Sequence, residues 1–296
     1  MSDNILVTFW GTRGSIAAPG RSTEKYGGNT SCVAVEFSDS MFIFDAGTGI
    51  RSLGVNIMNN RIPKEGADKY EIYMFLSHTH WDHIQGLPFF QPAYHPGFKL
   101  NIYGSATKDA MLERLLIGQM DSNYFPVPMS SLGSDMNITE VTKEPMEIGG
   151  AKITFEDLDH PGGAVAFRIE KQGKSIVYAT DNELNTQFTE DGILINDNEM
   201  GKAYSKLIAG TDLLIADGQY TSEEYLIKKG WGHTSIPALL NVAHRAGVKQ
   251  TAVYHHDPMH TDNMLDELSS RYLHKFQDIE PRMDIFWARE GLTLAV

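Results

Sequence analysis

A chain of 296 residues, 42% of them hydrophobic, is long enough to bury a large core, as one large α/β domain or two smaller ones. Its 38 acidic against 25 basic residues leave a formal net charge of −13, which argues against general binding to nucleic acid backbones. A small anionic substrate stays open, because bound divalent ions create a local positive well inside an acidic protein.

Cys32 is the only cysteine, so an intramolecular disulfide is excluded and a reducing compartment fits. Met1-Ser2-Asp3-Asn4 lacks the basic-then-apolar pattern of a signal peptide, and no apolar run reaches the ~18 residues of a membrane span. A soluble cytoplasmic protein without membrane partners is expected.

Residues 5–10, 32–37 and 41–44 are short apolar, β-branched or aromatic runs and read as the first strands. The third ends in Asp45-Ala46-Gly47-Thr48-Gly49. A further run at 72–76 leads into His78-Thr79-His80-Trp81-Asp82-His83, four common metal-binding side chains in six residues. In an extended segment His78 and His80 point the same way; if the chain then turns into a helix, Asp82 and His83 leave that line and can face a second ion. A chance cluster on a surface loop is the competing reading, and the preceding strand and the matching residues downstream weigh against it.

A strand is expected at 99–103 and a helix at 106–117, from the spacing of Met111, Leu112, Leu115 and Leu116. Residues 118–134, with Tyr124-Phe125-Pro126-Val127-Pro128, read as an irregular packed surface loop or a lid. Strands at 153–158, 165–169, 175–179, 213–216, 251–254 and 284–287 alternate with helical spacing at 235–246 and after His260. His160, Asp181, Asp217 and the pair His255-His256 sit where these strands meet loops, the place where α/β proteins gather catalytic groups. Singly, each has a structural explanation as a turn former, cap or satisfied polar group; jointly they point to a site. With no repeat or long linker, residues 1–296 read as one continuous domain of stacked sheets with helices outside.

His78-x-His80-x-Asp82-His83 followed by His160, Asp181 and His256 resembles the metallo-β-lactamase superfamily over nearly the whole chain, including the early Phe44-Asp45-Ala46-Gly47-Thr48-Gly49 turn. The resemblance implies an α/β fold, the αββα sandwich of two mixed β-sheets flanked by helices, with a metal site along one edge. Carried over, His78, His80 and His160 would bind one divalent ion. Asp82, His83 and His256 would bind the other, Asp181 would bridge them, and Asp45 would orient ligands. His255 is the rival for His256, since a short strand end leaves a one-residue ambiguity.

The resemblance also narrows the chemistry. A redox di-iron relative would show Glu where His80 stands, and the β-lactamases often use a cysteine ligand that this chain does not supply. The intact Asp82-His83 pair favours binuclear hydrolases with Zn²⁺, Mn²⁺ or Fe²⁺. Trp10-Gly11-Thr12-Arg13-Gly14-Ser15, Gly28-Asn29-Thr30-Ser31, Asp217 and Gly232-His233-Thr234-Ser235 resemble the RNase Z-like proteins and their smaller phosphodiesterase relatives.

By that likeness His233 would be a general acid or phosphate ligand oriented by Asp217, with helix capping as the other reading of 233–235. The single hairpin between His160 and Asp181 leaves no room for a tRNA-gripping arm, so the expectation is a homodimeric hydrolase of a small, cyclic phosphodiester and not of long nucleic acid. A thioesterase or lactonase and a non-catalytic metal-binding sensor are the alternatives. Arg13, Arg21 and Arg51 read as surface arginines or phosphate contacts, and Tyr124 or Phe125 as a stacking surface for a base.

Overall fold

Strands buried on both faces need continuous apolar sequence, and that is how the central runs of this chain are written. The computed structural model describes residues 5–38, 40–64, 66–105, 111–142 and 144–296. In chain order, β1 (Leu6–Gly11), β2 (Cys32–Glu36), β3 (Met41–Phe44), β4 (Tyr70–Leu76), β5 (Phe98–Gly104) and β6 (Asp135–Glu140) belong to the first sheet. β7 (Met146–Ile148), β8 (Ala151–Leu158), β9 (Ala164–Lys171), β10 (Lys174–Ala179), β11 (Leu213–Asp217), β12 (Gln250–Tyr254) and β13 (Asp284–Trp287) form the second. β14 (Thr293–Ala295) returns to pair with β1, giving the orders β14-β1-β2-β3-β4-β5-β6 and β13-β12-β11-β10-β9-β8-β7.

In each sheet antiparallel pairing passes into parallel pairing: β3 to β6 run parallel in one, β10 to β13 in the other. Alternation sorts the side chains. Phe42, Phe44, Phe75, Ile176, Tyr178, Ile215 and Tyr254 fill the layer between the sheets. Met41, Ile43, Ile72 and Met74 face outward with Ile50, Leu53 and Ile57 of the helix α1 (Ile50–Asn60). Leu214, Ala216 and Val253 likewise face Leu239 and Leu240, and these helix-bearing outer faces complete the expected αββα sandwich of two mixed sheets.

The short helix α2 (Trp81–Ile84) follows the His78 segment, and α3 (Leu112–Gln119) covers the later part of the expected 106–117 helix; residues 106–110 lie outside the described residues. The remaining helices are α4 (Glu199–Ile208), α5 (Ser222–Ile227), α6 (Ile236–Arg245) and α7 (Asp262–Phe276). No helix among the described residues is long and apolar enough to cross a membrane.

Between His160 and Asp181, β9 and β10 are joined by Gln172-Gly173, both at positive φ (55° and 76°) as a tight two-residue hairpin requires. The parallel strands β3, β4, β10, β11 and β12 all deliver their C-terminal ends to one edge of the sandwich, where Asp45, His78, Asp181, Asp217 and His255 emerge.

Candidate metal centre

Three of these polar groups sit in left-handed backbone: Asp45 (φ 58°), Asp181 (φ 58°) and His255 (φ 60°). A non-glycine residue pays for that conformation, and such positions recur where a side chain must be aimed abruptly away from its strand. The turn at the end of each strand thus carries a functional group inward instead of continuing the pleat.

Side-chain nitrogens and oxygens of His78, His80 and His160 converge, and beside them those of Asp82, His83, Asp181 and His255. In the second group His83 Nε2 lies 3.1 Å from Asp82 Oδ2 and 3.2 Å from Asp181 Oδ2. His255 Nε2 lies 3.3 Å from Asp82 Oδ2, 3.2 Å from Asp181 Oδ2 and 3.3 Å from His83 Nε2. A tetrahedral ion with bonds of about 2.0–2.1 Å has ligand-to-ligand edges of about 3.3 Å, so these four atoms fit such an ion. Asp181 also faces the first group: its Oδ1 is 4.0 Å from His78 Nε2 and 3.8 Å from His160 Nε2. His160 Nε2 and His80 Nδ1 are 3.1 Å apart.

Outer contacts fix which nitrogen points inward. His83 Nδ1 donates to Asp45 Oδ2 (2.7 Å), and Asp45 is held in turn by the Ser77 amide and hydroxyl and by Tyr178 OH. His160 Nδ1 donates to the Gly232 carbonyl at 2.9 Å. His255 Nδ1 lies 3.2 Å from Gln219 Oε1, and the Ser15 amide donates to Asp82 Oδ2 at 2.7 Å. This is the arrangement that metal-ligating imidazoles show, with the second nitrogen engaged. His78 Nε2 is buried with no hydrogen-bond partner, as a nitrogen reserved for a cation would be.

Electrostatics agree with that fit. Burial, joined by the charge of His83, holds His78 well below its ordinary value, and burial lowers His160 too, so both are neutral donors. At His83 burial is outweighed by Asp82, Asp181 and Asp45, which hold the imidazole well above its ordinary value. The protein therefore concentrates negative potential where the second group converges.

His256, expected as the last ligand, does not join the cluster. Its Nε2 donates to the Ala288 carbonyl (2.7 Å), and its ring packs edge-on against Tyr26. His255 takes the place instead, because its left-handed backbone turns the side chain into the site. Gly14 is fitted to this turn: a Cβ there would lie 2.5 Å from the His255 ring. Arg13 is neither a surface residue nor a phosphate contact; fully buried, it donates to the carbonyls of Gly27, Asp257 and His260. Arg21 and Arg51 are exposed.

His233 stands at the rim of the cluster, its ring stacked 5.1 Å from that of His255. Its Nδ1 donates to Asp217 Oδ2 (2.7 Å), and Asp217 Oδ1 accepts from the Gln219 amide. Burial works against the charged imidazole, but the charge and hydrogen bond of Asp217 raise it to about 9. Ser235 caps α6 without a side-chain bond, so capping does not explain the 233–235 segment. A cleft of about 500 Å³, lined among others by Ser15, His80, Trp81, Trp231 and His233, opens onto the cluster.

Sequence reasoning missed Ser15, Gln219 and Glu183 as supports of this site. Glu183 accepts from Tyr225 OH and from the amides of Gly230 and Gly232, and so shapes the loop that carries His233. The signals were the place of Ser15 in the Trp10–Ser15 segment and that of Gln219, two residues beyond Asp217.

A family model described as the β-lactamase superfamily domain matches residues 41–256. Ribonuclease Z of Lacticaseibacillus casei (strain BL23) is 25% identical over 289 residues, covering 83% of this chain and 81% of the relative. Ribonuclease Z of Enterococcus faecalis (strain ATCC 700802 / V583) is 24% identical over 328 residues, covering 95% and 92%. Among solved structures, a diphosphatase from the PhnP family superposes with a TM-score of 0.65 at 19% identity, covering 98% of this chain and 97% of that one. The short form of human tRNase Z (ELAC1) gives a TM-score of 0.62 at 16% identity, covering 98% of each chain, and these likenesses show the shared fold. With the family model spanning most of the chain and the site at the sandwich edge, the protein belongs to the β-lactamase superfamily domain family and is an RNase Z-like hydrolase within it.

Proposed function

We propose that this enzyme is a binuclear metal-dependent phosphodiesterase acting on a small, cyclic phosphodiester such as a cyclic nucleotide. The observation that carries the reading is the division of Asp181, with Oδ2 turned to His83 and His255 and Oδ1 to His78 and His160. His78, His80 and His160 would hold one divalent ion, and Asp82, His83 and His255 the other, with Asp181 shared. The all-N/O donor set suits Zn²⁺, with Mn²⁺ and Fe²⁺ compatible. Such ions supply an activated water and neutralise charge that develops on the phosphoryl oxygens.

The chain's own groups do the rest. Asp217 accepts from His233 Nδ1 and keeps the imidazole charged, so that Nε2–H can pass a proton to the departing oxygen. The Ser15 amide orients Asp82, and Asp45 orients His83. A cleft of about 500 Å³ suits a compact substrate, and the two-residue hairpin between β9 and β10 supports the small-substrate reading, as does the charge of −13. The names of the relatives, ribonuclease Z and a diphosphatase, support attack at phosphorus.

The test is turnover of bis(p-nitrophenyl) phosphate and of 2′,3′- and 3′,5′-cyclic nucleotides by protein reloaded with Zn²⁺ or Mn²⁺. Hydrolysis that a chelator abolishes and added metal restores is expected. Turnover of thioesters or lactones with no diester cleaved overturns the reading.

A further inference from the structure

Beside the metal cleft lies a larger hollow of about 700 Å³, between α2 and its following turn on one side and α3 with residues 120–125 on the other. Thr79 and Trp81 line both spaces, so the two are neighbours. The hollow is walled by rings. Trp81 is 81% exposed, Tyr124 82% and Phe89 56%, and Phe125 meets Phe89 edge-on at 5.4 Å. Single exposed apolar side chains are ordinary on a protein surface; four aromatic rings around one concavity beside a polar centre are the composition of a ligand site.

A further feature says what it takes. In a chain of net charge −13, the described residues that line this hollow include Arg114 and no carboxylate.

The geometry points to a subsite for a planar aromatic ring, a nucleobase or aryl ester arm, attached to the phosphodiester whose phosphate lies in the metal cleft. Tyr124, Phe89 and Trp81 supply the stacking faces, and Arg114 adds positive charge. The 118–134 segment, weighed in the sequence between surface loop and lid, is in this role a wall of the substrate site. This inference rests on the phosphodiesterase reading.

Calorimetric binding of phenyl phosphate and methyl phosphate, which differ only by the ring, tests it on the zinc-loaded full chain. Base-to-aromatic stacking predicts that phenyl phosphate binds about tenfold more tightly. Tyr124→Ala and Phe89→Ala, both at exposed positions, are expected to bring the two affinities close together, with methyl phosphate as the reference in every variant. Kinetics of phenyl p-nitrophenyl phosphate against methyl p-nitrophenyl phosphate, which share a leaving group, should show the same preference carried by KM. Equal affinities in the wild type, or a ring preference intact in both variants, overturns the subsite. Diester turnover without ring preference removes the subsite and leaves the phosphodiesterase reading standing. Ring-dependent binding with no diester turnover removes the hydrolytic reading and keeps the subsite.

Discussion

The two halves of the polar centre are built differently. Asp82, His83, Asp181 and His255 are all buried, two of them are aimed by left-handed backbone, and their atoms already stand at the spacing of a tetrahedral shell. On the other side His78 and His160 are buried, but His80 is exposed at the mouth of the cleft. A preorganised, desolvated half holds a cation tightly, because the electrostatic attraction is strong and little reorganisation is needed. With ions held as proposed, the buried group would favour retention, and His80 at the cleft mouth would leave the other ion open to substrate oxygen.

The most direct way to break this contrast is to truncate one ligand on each side. Asp82→Ala is expected to lose one ion per chain and about 10³-fold in kcat with the fold intact, whereas His80→Ala should cost only about 10–10²-fold and leave the buried ion in place. Metal analysis and circular dichroism read both effects. Equal losses from the two variants would erase the distinction, and full activity in Asp82→Ala would sink the two-metal model.

A second, smaller effect sharpens the role of the rim. His233→Ala should lower kcat by about 10²–10⁴-fold for diesters with an alkyl leaving group, and much less for p-nitrophenyl esters, whose departing oxygen needs no proton. Because Asp217 raises His233 to about 9, the acid form persists to about that pH and activity falls on its basic side. Asp217→Asn removes the charge that raises it and should move that limb to lower pH; an unmoved limb would rule His233 out as the acid.

The smallest effect separates the adjacent histidines. His256→Ala should retain metal content and KM while lowering thermal stability by about 1–3 kcal/mol through its lost buried contacts. Burial depresses His256 to about 3, below the unfolded value near 6.5. The unfolded chain therefore binds the extra proton between those values, so this group's stability is complete above about pH 6.5 and drains away as pH falls toward 3. The variant should lose less stability than the wild type over that window; loss of zinc from it would restore His256 as a ligand.

The convergence of His78, His80, Asp82 and His83 was legible because a metal site would demand particular side chains at a strand end, and His78-x-His80-x-Asp82-His83 leaves few substitutes. The choice between His255 and His256 was not legible. Strand parity decides which side chain points inward only while the chain stays extended, and His255 at φ 60° breaks that parity.

The long buried strands showed as apolar runs, whereas β6 is largely exposed and shows only as a short alternation of Asp135, Asn137 and Thr139 with Met136 and Ile138. α1 buries Ile50, Leu53 and Ile57 at helical spacing, but Gly54 and its asparagines blunt the signal. Ser15, Glu183 and Gln219 act through partners distant in sequence, and local pattern does not encode such contacts.

Glu183 ties Gly230 and Gly232 to its carboxylate, and the Gly232 carbonyl in turn holds His160 while the next residue is His233. One buried anchor therefore joins a histidine of the open half to the histidine of the rim. In hydrogen-exchange terms the 228–233 loop should open as a single unit, with the Gly230 and Gly232 amides exchanging together and only when both histidines are released. The exchange rates of those two amides thus read how firmly the loop keeps the two imidazoles in position together.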